Sequence, residues 1–325
     1  MPPSSSSPPS TNSFPSDTFA IPVAPEGFKS GFIGIIGRPN VGKSTLMNTL
    51  VGQKIAITSP IAQTTRNRLQ GILTTDKAQF IFVDTPGIHK PHHQLGKVLV
   101  QNAKTAIQSV DVLLFVVDSS VPMGKGDRYI ADLLQHTSTP VILGLNKADQ
   151  QPEDAEQVHQ IDQSYLAMTQ EHQWTSVKFS ALTEIGTDTL QQHLMDALET
   201  GPYYYPPDLV TDQPERFIMA ELIREQILYN TREEVPHSVA IAIDRVEETP
   251  TITKVMATIN VERKSQKGII IGKGGAMVKT IGVAARQQIQ KLVMGKVHIE
   301  LFVKVQPKWR QSRIRLEDLG YRLDP

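Results

Sequence analysis

Apolar positions along the chain follow two different rhythms. Up to about residue 200 they come as short, nearly continuous runs: Gly31-Phe32-Ile33-Gly34-Ile35-Ile36, Phe80-Ile81-Phe82-Val83, Val112–Val117 and Val141–Leu145, then the shorter Val177-Lys178-Phe179. Each run is one strand long, and near-continuous apolarity is what a strand covered on both faces requires. Amphipathic segments separate the runs, so the pattern predicts an α/β fold with a mixed, mostly parallel sheet. Past residue 215 the rhythm changes. Glu215–Tyr229 puts Phe217, Ile218, Leu222, Ile223 and Ile227 on one helical face. Two alternating strands follow. In the second, Val255, Ala257, Ile259 and Val261 oppose Lys254, Thr258, Asn260 and Glu262. A short helix then leads into Gly272-Lys273-Gly274-Gly275, a helix over about Ala276–Val293 and a strand Val297–Val305. Strands apolar on one side only, with helices to cover that side, predict a smaller α+β domain.

The segments outside these patterns mark the boundaries. Residues 1–26 are rich in Ser, Pro and Thr, without a single Lys or Arg. Such a composition cannot bury enough apolar surface to offset its ordering entropy, so a disordered tail is expected up to residue 28. It lacks the arginines of a transit peptide and the apolar core of a signal peptide. Four prolines in 201–214 predict a stiff linker between a first domain over 29–200 and a second over 215–325. Its tyrosines, Tyr203 to Tyr205, either pack on a domain or stack on a base. No apolar run reaches the length of a bilayer span. The absence of cysteine excludes disulfides and thiolate metal sites. Net charge is zero, but residues 254–315 hold fourteen Lys and Arg against Glu262 and Glu300 alone, leaving nineteen against thirty-one elsewhere. A local surface for a polyanion is implied.

The chemistry sits where strands end. The first run continues into Gly37-Arg38-Pro39-Asn40-Val41-Gly42-Lys43-Ser44-Thr45, which fits the phosphate-binding pattern G-x-x-x-x-G-K-S. Inward backbone N–H groups and a helix N-terminus would cradle phosphates, with Lys43 reaching the β- and γ-phosphates and the Ser44 hydroxyl ligating Mg²⁺. The second run ends in Asp84-Thr85-Pro86-Gly87. Asp84 there can hold Mg²⁺ through water, and Gly87 can bring its N–H to the γ-phosphate. The fourth ends in Asn146-Lys147-Ala148-Asp149. Asp149 can accept from guanine N1–H and its exocyclic amine, Asn146 can brace the loop or reach the base, and the Lys147 stem can cover the ring. Ser180-Ala181-Leu182, after Phe179, offers the Ala181 N–H to the guanine oxygen. Taken singly, each string also suits a plain turn with a helix cap. Four in this order, each at a strand end, converge on one crevice at the carboxyl edge of the sheet.

These motifs resemble a translation-factor-class GTPase, and Ala62-Gln63-Thr64-Thr65-Arg66-Asn67-Arg68 resembles the first switch of the Era family. By that resemblance Thr65 closes over Mg²⁺ and the γ-phosphate, with Thr64 the competing choice. Ile88 follows Gly87, so the glutamine that orients water in Ras-like enzymes is missing, and slow intrinsic hydrolysis is expected. Family members with Asn at the position of Asn40 can hold K⁺ against the phosphates. The catalytic set implied is Asn40, Lys43, Thr65 and Gly87, with Mg²⁺ and a K⁺ assistant. The order helix, strand, strand, short helix, G-x-x-G, helix, strand resembles a type II KH domain, whose loop clamps single-stranded RNA. Ile271, Gly272, Lys273, Gly274 and Gly275 would then meet the RNA backbone, within the field of Lys264, Lys267, Lys279 and Arg286. Trp309 either stacks on a base or closes the domain's core. The two-domain order and Ile270–Gly282 are similar to the Era family over about residues 29–323. The resemblance implies a cytoplasmic monomer that binds GTP and GDP. It further implies 16S rRNA binding, a role in assembly of the small (30S) ribosomal subunit, and peripheral contact with the inner face of the cell membrane. A nucleotide-dependent membrane tether or cell-cycle regulator, with hydrolysis incidental, is the alternative.

Overall fold

The computed structural model describes residues 21–321 apart from 62–63, 86, 88–94, 96–97, 99–100, 102–104 and 106. The expectations for residues 1–20, Pro86 and Ile88 therefore lie outside the described residues. In the first domain six strands are described: β1 Lys29–Ile36, β2 Leu69–Thr74, β3 Ala78–Asp84, β4 Val112–Asp118, β5 Val141–Asn146 and β6 Thr175–Lys178. They lie in the order β2-β3-β1-β4-β5-β6. Only β2 runs antiparallel, against β3. The sheet is apolar on both faces because helices cover both. In β4, Leu114 and Val116 join the core beneath α1 (Lys43–Val51), while Leu113, Phe115 and Val117 join the core beneath α2 (Lys125–Leu134) and α3 (Ala155–His172). A fourth helix, α4 (Thr187–Ala197), sends Leu190 and Leu194 into the α1 side.

In the second domain α5 (Glu215–Asn230), α6 (Val235–Ser238), α7 (Lys264–Ile271) and α8 (Ala276–Ile289) accompany a sheet of β7 (Ala240–Glu248), β8 (Ile252–Val261) and β9 (Lys296–Val305). β8 is central, antiparallel to β7 and parallel to β9. Val255, Ala257, Ile259 and Val261 are fully buried against α5 and α8, as the alternation required. The helix α8 ends earlier than periodicity suggested. After Ile289 the side chain of Gln290 turns onto the Gly295 carbonyl and accepts from Val297 N–H at 3.0 Å, which stops the helix and starts β9.

The segment 201–214 packs along the edge of the first sheet. The Gln79 side chain is fully buried; its oxygen accepts from Tyr204 and Tyr205 N–H and its amide donates to the Tyr205 carbonyl. Tyr203 rests on Phe28 and Tyr204 on Phe32, so the base-stacking alternative for these tyrosines is replaced by packing. Phe28 itself is buried, which makes order begin before the expected boundary. Trp309 has no exposed surface. It stacks on Tyr321 and donates its indole N–H to Ser238 O at 3.0 Å, next to Leu316 of the last helix, α9 (Arg313–Asp318). It closes the core and cannot present a face to a base.

The two domains share surface. Ile57, between α1 and β2, is buried in the core of the second domain rather than the first. Leu95 packs with Trp309, Leu316 and Tyr321. Burial of a side chain such as Ile57 contributes about 1.5–3 kcal/mol.

Candidate functional site

The carboxyl ends of β1, β3 and β5 open on one cleft of about 440 Å³, lined by the phosphate loop, Thr58, Thr65, Gly87 and Lys147, and by Tyr229 from α5. The loop is shaped by local geometry. Gly42 has φ 99°, and a Cβ there would sit 2.3 Å from the Asn146 amide nitrogen, so no other residue fits. The Lys43 Nζ folds back onto Gly37 O at 3.1 Å and Arg38 O at 2.8 Å, placing the ammonium inside the loop. Burial pushes its pKa down to about 8, with nearby Arg38 adding to the fall and Asp84 opposing it. Arg38 turns away from the cleft and donates to Asp127 of α2 at 2.6 Å, which braces the loop from behind.

Below the loop three oxygens converge. Asp84 Oδ2 accepts from Ser44 Oγ at 2.7 Å and Thr65 Oγ1 at 3.0 Å, and the two hydroxyls lie 2.9 Å apart. Asp84 is fully buried, and burial pushes its carboxyl above the ordinary range against the pull of Lys43. Its other oxygen, Oδ1, has no hydrogen bond of good geometry among the described residues. A buried carboxylate with two hydroxyls is a hard oxygen donor set of the kind Mg²⁺ prefers. Thr65 is the threonine that joins this cluster. Thr64 instead donates its hydroxyl to Ile61 O.

At the base end, Asn146 donates to Val41 O at 2.8 Å and so ties the loop to β5. Its side-chain oxygen accepts from Ala181 N–H at 2.9 Å. That N–H, buried with Ala181, is paired with Asn146 in this structure. Lys147 has φ 66° and pairs with Asp118 at 2.6 Å. Burial pushes Asp118 up, but Lys147 and Ser120 outweigh it and hold the carboxyl below its usual range. Asp149 is exposed, with no hydrogen-bond partner among the described residues. Ser180 is buried and caps Thr183 N–H, Thr85 donates to Ile35 O, and Leu182 is exposed. Asp118 was missed in the sequence, although it ends its apolar run just as Asp84 ends the neighbouring one.

Asn40 stands at the mouth, exposed, with φ 64°. Its side-chain amide donates to Pro60 O at 2.8 Å, which links the loop to the segment before Thr65.

The second domain carries a separate groove of about 330 Å³ between α8 and β9. Lys279, Gly282 and Arg286 form one wall and His298, Ile299 and Leu301 the other. The turn Gly272–Gly275 stands at the start of α8, with positive φ at Gly272, Gly274 and Gly275 and an exposed Lys273. Ile271 and Lys267 are half-buried and Lys264 is exposed. The β9 wall escaped sequence reasoning because its contributors read there as an ordinary alternating strand.

Residues 32–147 match the family model described as a 50S ribosome-binding GTPase, and residues 234–310 match the KH domain model. The chain is 70% identical over 305 residues to GTPase Era of Rippkaea orientalis, covering 94% of this chain and 96% of the relative. It is 73% identical over 305 residues to GTPase Era of Nostoc sp., covering 94% and 93%. Two solved structures are similar, each with TM-score 0.86 and 37% identity, covering 91% of this chain and 100% of the other. One is a point variant of Aquifex aeolicus Era bound to GDP·AlF4⁻. The other is Era in complex with MgGDPNP and nucleotides 1506–1542 of 16S ribosomal RNA.

Proposed function

The chain belongs to the GTPase Era family, and from that premise we propose that it hydrolyses GTP as a switch on 16S rRNA binding during assembly of the 30S subunit. The observation that carries this reading is one chain with both a phosphate-loop cleft and a basic groove, matched across 91% of its length to an Era structure with MgGDPNP and a 16S rRNA segment. The 16S molecule belongs to the small subunit, so the small-subunit reading is preferred over the 50S of the GTPase model's description.

Loop N–H groups and Lys43 hold the phosphates, and Asp149 selects guanine through two hydrogen bonds that adenine cannot return. Ser44 and Thr65 would ligate Mg²⁺ and Asp84 would hold it through water; bound there, the ion neutralises charge on the β- and γ-oxygens. The Gly87 N–H approaches the γ-phosphate. Asn40 spends its amide nitrogen on Pro60 O, which leaves its side-chain oxygen as the atom that would hold a monovalent cation such as K⁺. A cation held there would offset phosphate charge during hydrolysis. Equal turnover in KCl and NaCl at matched ionic strength would rule out that assistance.

Single-stranded RNA lies in the α8–β9 groove, its backbone against Gly272–Gly275 and its phosphates near Lys264, Lys267, Lys273, Lys279 and Arg286. RNA affinity depends on the nucleotide because Thr65 and its neighbours touch both domains. The same affinity with GDP and with a non-hydrolysable GTP analogue would remove the coupling. In this reading the protein is a cytoplasmic monomer, and contact with the inner face of the cell membrane is peripheral. Among the described residues no single helix is long and apolar enough to cross a membrane. The direct test is crosslinking in cells followed by sequencing of attached nucleic acid. Fragments near the 3′ end of 16S rRNA support the reading, whereas lipid without ribosomal RNA points to a membrane tether.

A further inference from the structure

Thr65 is held from behind by the other domain. Its hydroxyl faces Ser44 and Asp84, yet both of its chain neighbours are anchored away from the cleft. The Thr64 carbonyl accepts from the Arg224 guanidinium of α5. The Arg66 side chain crosses into the second domain, donating to Val239 O at 2.6 Å and Pro236 O at 2.9 Å. Both arginines are buried. Arg224 is oriented by Glu221, one turn back on the same helix. The same helix grips the start of the segment through Glu225, which pairs with Lys54 at 2.6 Å and accepts from Thr58 N–H at 2.9 Å. Glu221, Arg224 and Glu225 lie on one face of α5, at helical spacings of three and four. With Ile57 in the second domain's core, the segment is fastened there at both ends.

The chemistry of these anchors argues for placement rather than adhesion. Arg66 faces two carbonyls and lies beside the Tyr321 side chain, with no carboxylate bonded to it, and its Nε has no partner among the described residues. Burial disfavours its charge, as the lowered pKa of its guanidinium reflects. An apolar side chain would join the domains at less cost. A forked donor gripping two carbonyls fixes direction, and the residue whose direction it fixes is Thr65.

We propose that Arg66 and Arg224 are positioning residues for GTP hydrolysis, which hold the Thr65 hydroxyl at the metal-facing side of the phosphate loop from the RNA-binding domain. The second domain is thereby part of the hydrolytic apparatus and not only its output. This rests on the reading of Thr65 as the residue that closes over Mg²⁺ and the γ-phosphate.

The test uses the full chain and four variants: Arg66→Ala, Arg66→Lys, Arg224→Gln and Thr65→Ala. Hydrogen exchange over residues 64–66, measured without nucleotide, reads the anchor independently of any loaded enzyme. Arg66→Ala and Arg224→Gln are expected to speed that exchange about tenfold or more, with β1 and β4 amides unchanged. They are also expected to lower kcat about tenfold while GDP affinity stays within about twofold, and to weaken a GTP analogue. Arg66→Lys keeps the charge and loses the fork, so it falls between. Where Arg66→Ala does not fold, Arg66→Lys and Arg224→Gln carry the test. Unchanged exchange and unchanged kcat in the arginine variants overturn the proposal. If Thr65→Ala alone loses kcat, the role of Thr65 stands and the anchoring falls. If Thr65→Ala hydrolyses normally, the reading of Thr65 is what fails.

Discussion

In the proposed reading, Asp149 is the residue that selects the base. The carboxylate is exposed, and beside it Lys147 is held by Asp118, so its stem is steadied where a ring would lie. A guanine offers two donors on the edge that Asp149 would meet; xanthine offers a carbonyl in place of the amine. Asp149→Asn should therefore weaken GTP about 100-fold or more, since each hydrogen bond to a charged group contributes about 1.5–3 kcal/mol. XTP should gain correspondingly. Competition of GTP, XTP and ATP against a fluorescent guanine nucleotide checks this, and a variant that takes ATP as well as XTP would show that Asp149 does not read the base. Asn146 makes a different contribution. It bonds both Val41 O and Ala181 N–H, so its loss should loosen the phosphate loop and the base end together.

Among the elements, the last turn and helix show why burial had to be seen to be known. Trp309 lies among basic residues that invite a nucleic-acid reading, yet it is fully buried, with Tyr321 and Leu316 against it. Trp309→Ala should cost about 3–5 kcal/mol by leaving a cavity. RNA affinity of the folded protein should hold. Lys273→Ala should do the reverse: stability kept, affinity lowered, and the slope of log affinity against log salt reduced by about 1. Thermal melts with RNA titrations separate the two. Local motifs were legible because the residues of each lie adjacent in sequence at one strand end. Alternation in β8 and β9 was legible for the same reason. The Arg66, Arg224 and Glu225 contacts were not, because they join residues more than 150 positions apart. In the sequence, Arg224 and Glu225 pass as ordinary polar positions of an amphipathic helix.

At the scale of the whole molecule, the junction between domains contains a histidine whose charged form the fold disfavours. His237 lies in α6, between the two carbonyls that Arg66 grips. Burial pushes its pKa down, and the positive charges of Arg66 and Arg310 push it further. The charged groups that act on it are these two arginines, and Arg310 is in turn paired with Glu262. A histidine lowered in the fold binds fewer protons there than in the unfolded chain, across the window from its folded pKa up to about 6.5. The unfolded state holds the extra proton, so stability rises with pH through that window. Its contribution is complete above about pH 6.5 and is lost as pH falls to the folded value. Protonation adds a third positive charge beside the Arg66 anchor, so the inter-domain contact weakens along with the fold. Melting temperature of the full chain should thus fall between pH 7.5 and 5.5, with exchange at residues 64–66 rising in parallel. His237→Asn should flatten that part of both profiles. A profile unchanged by the substitution would assign the pH dependence to other groups.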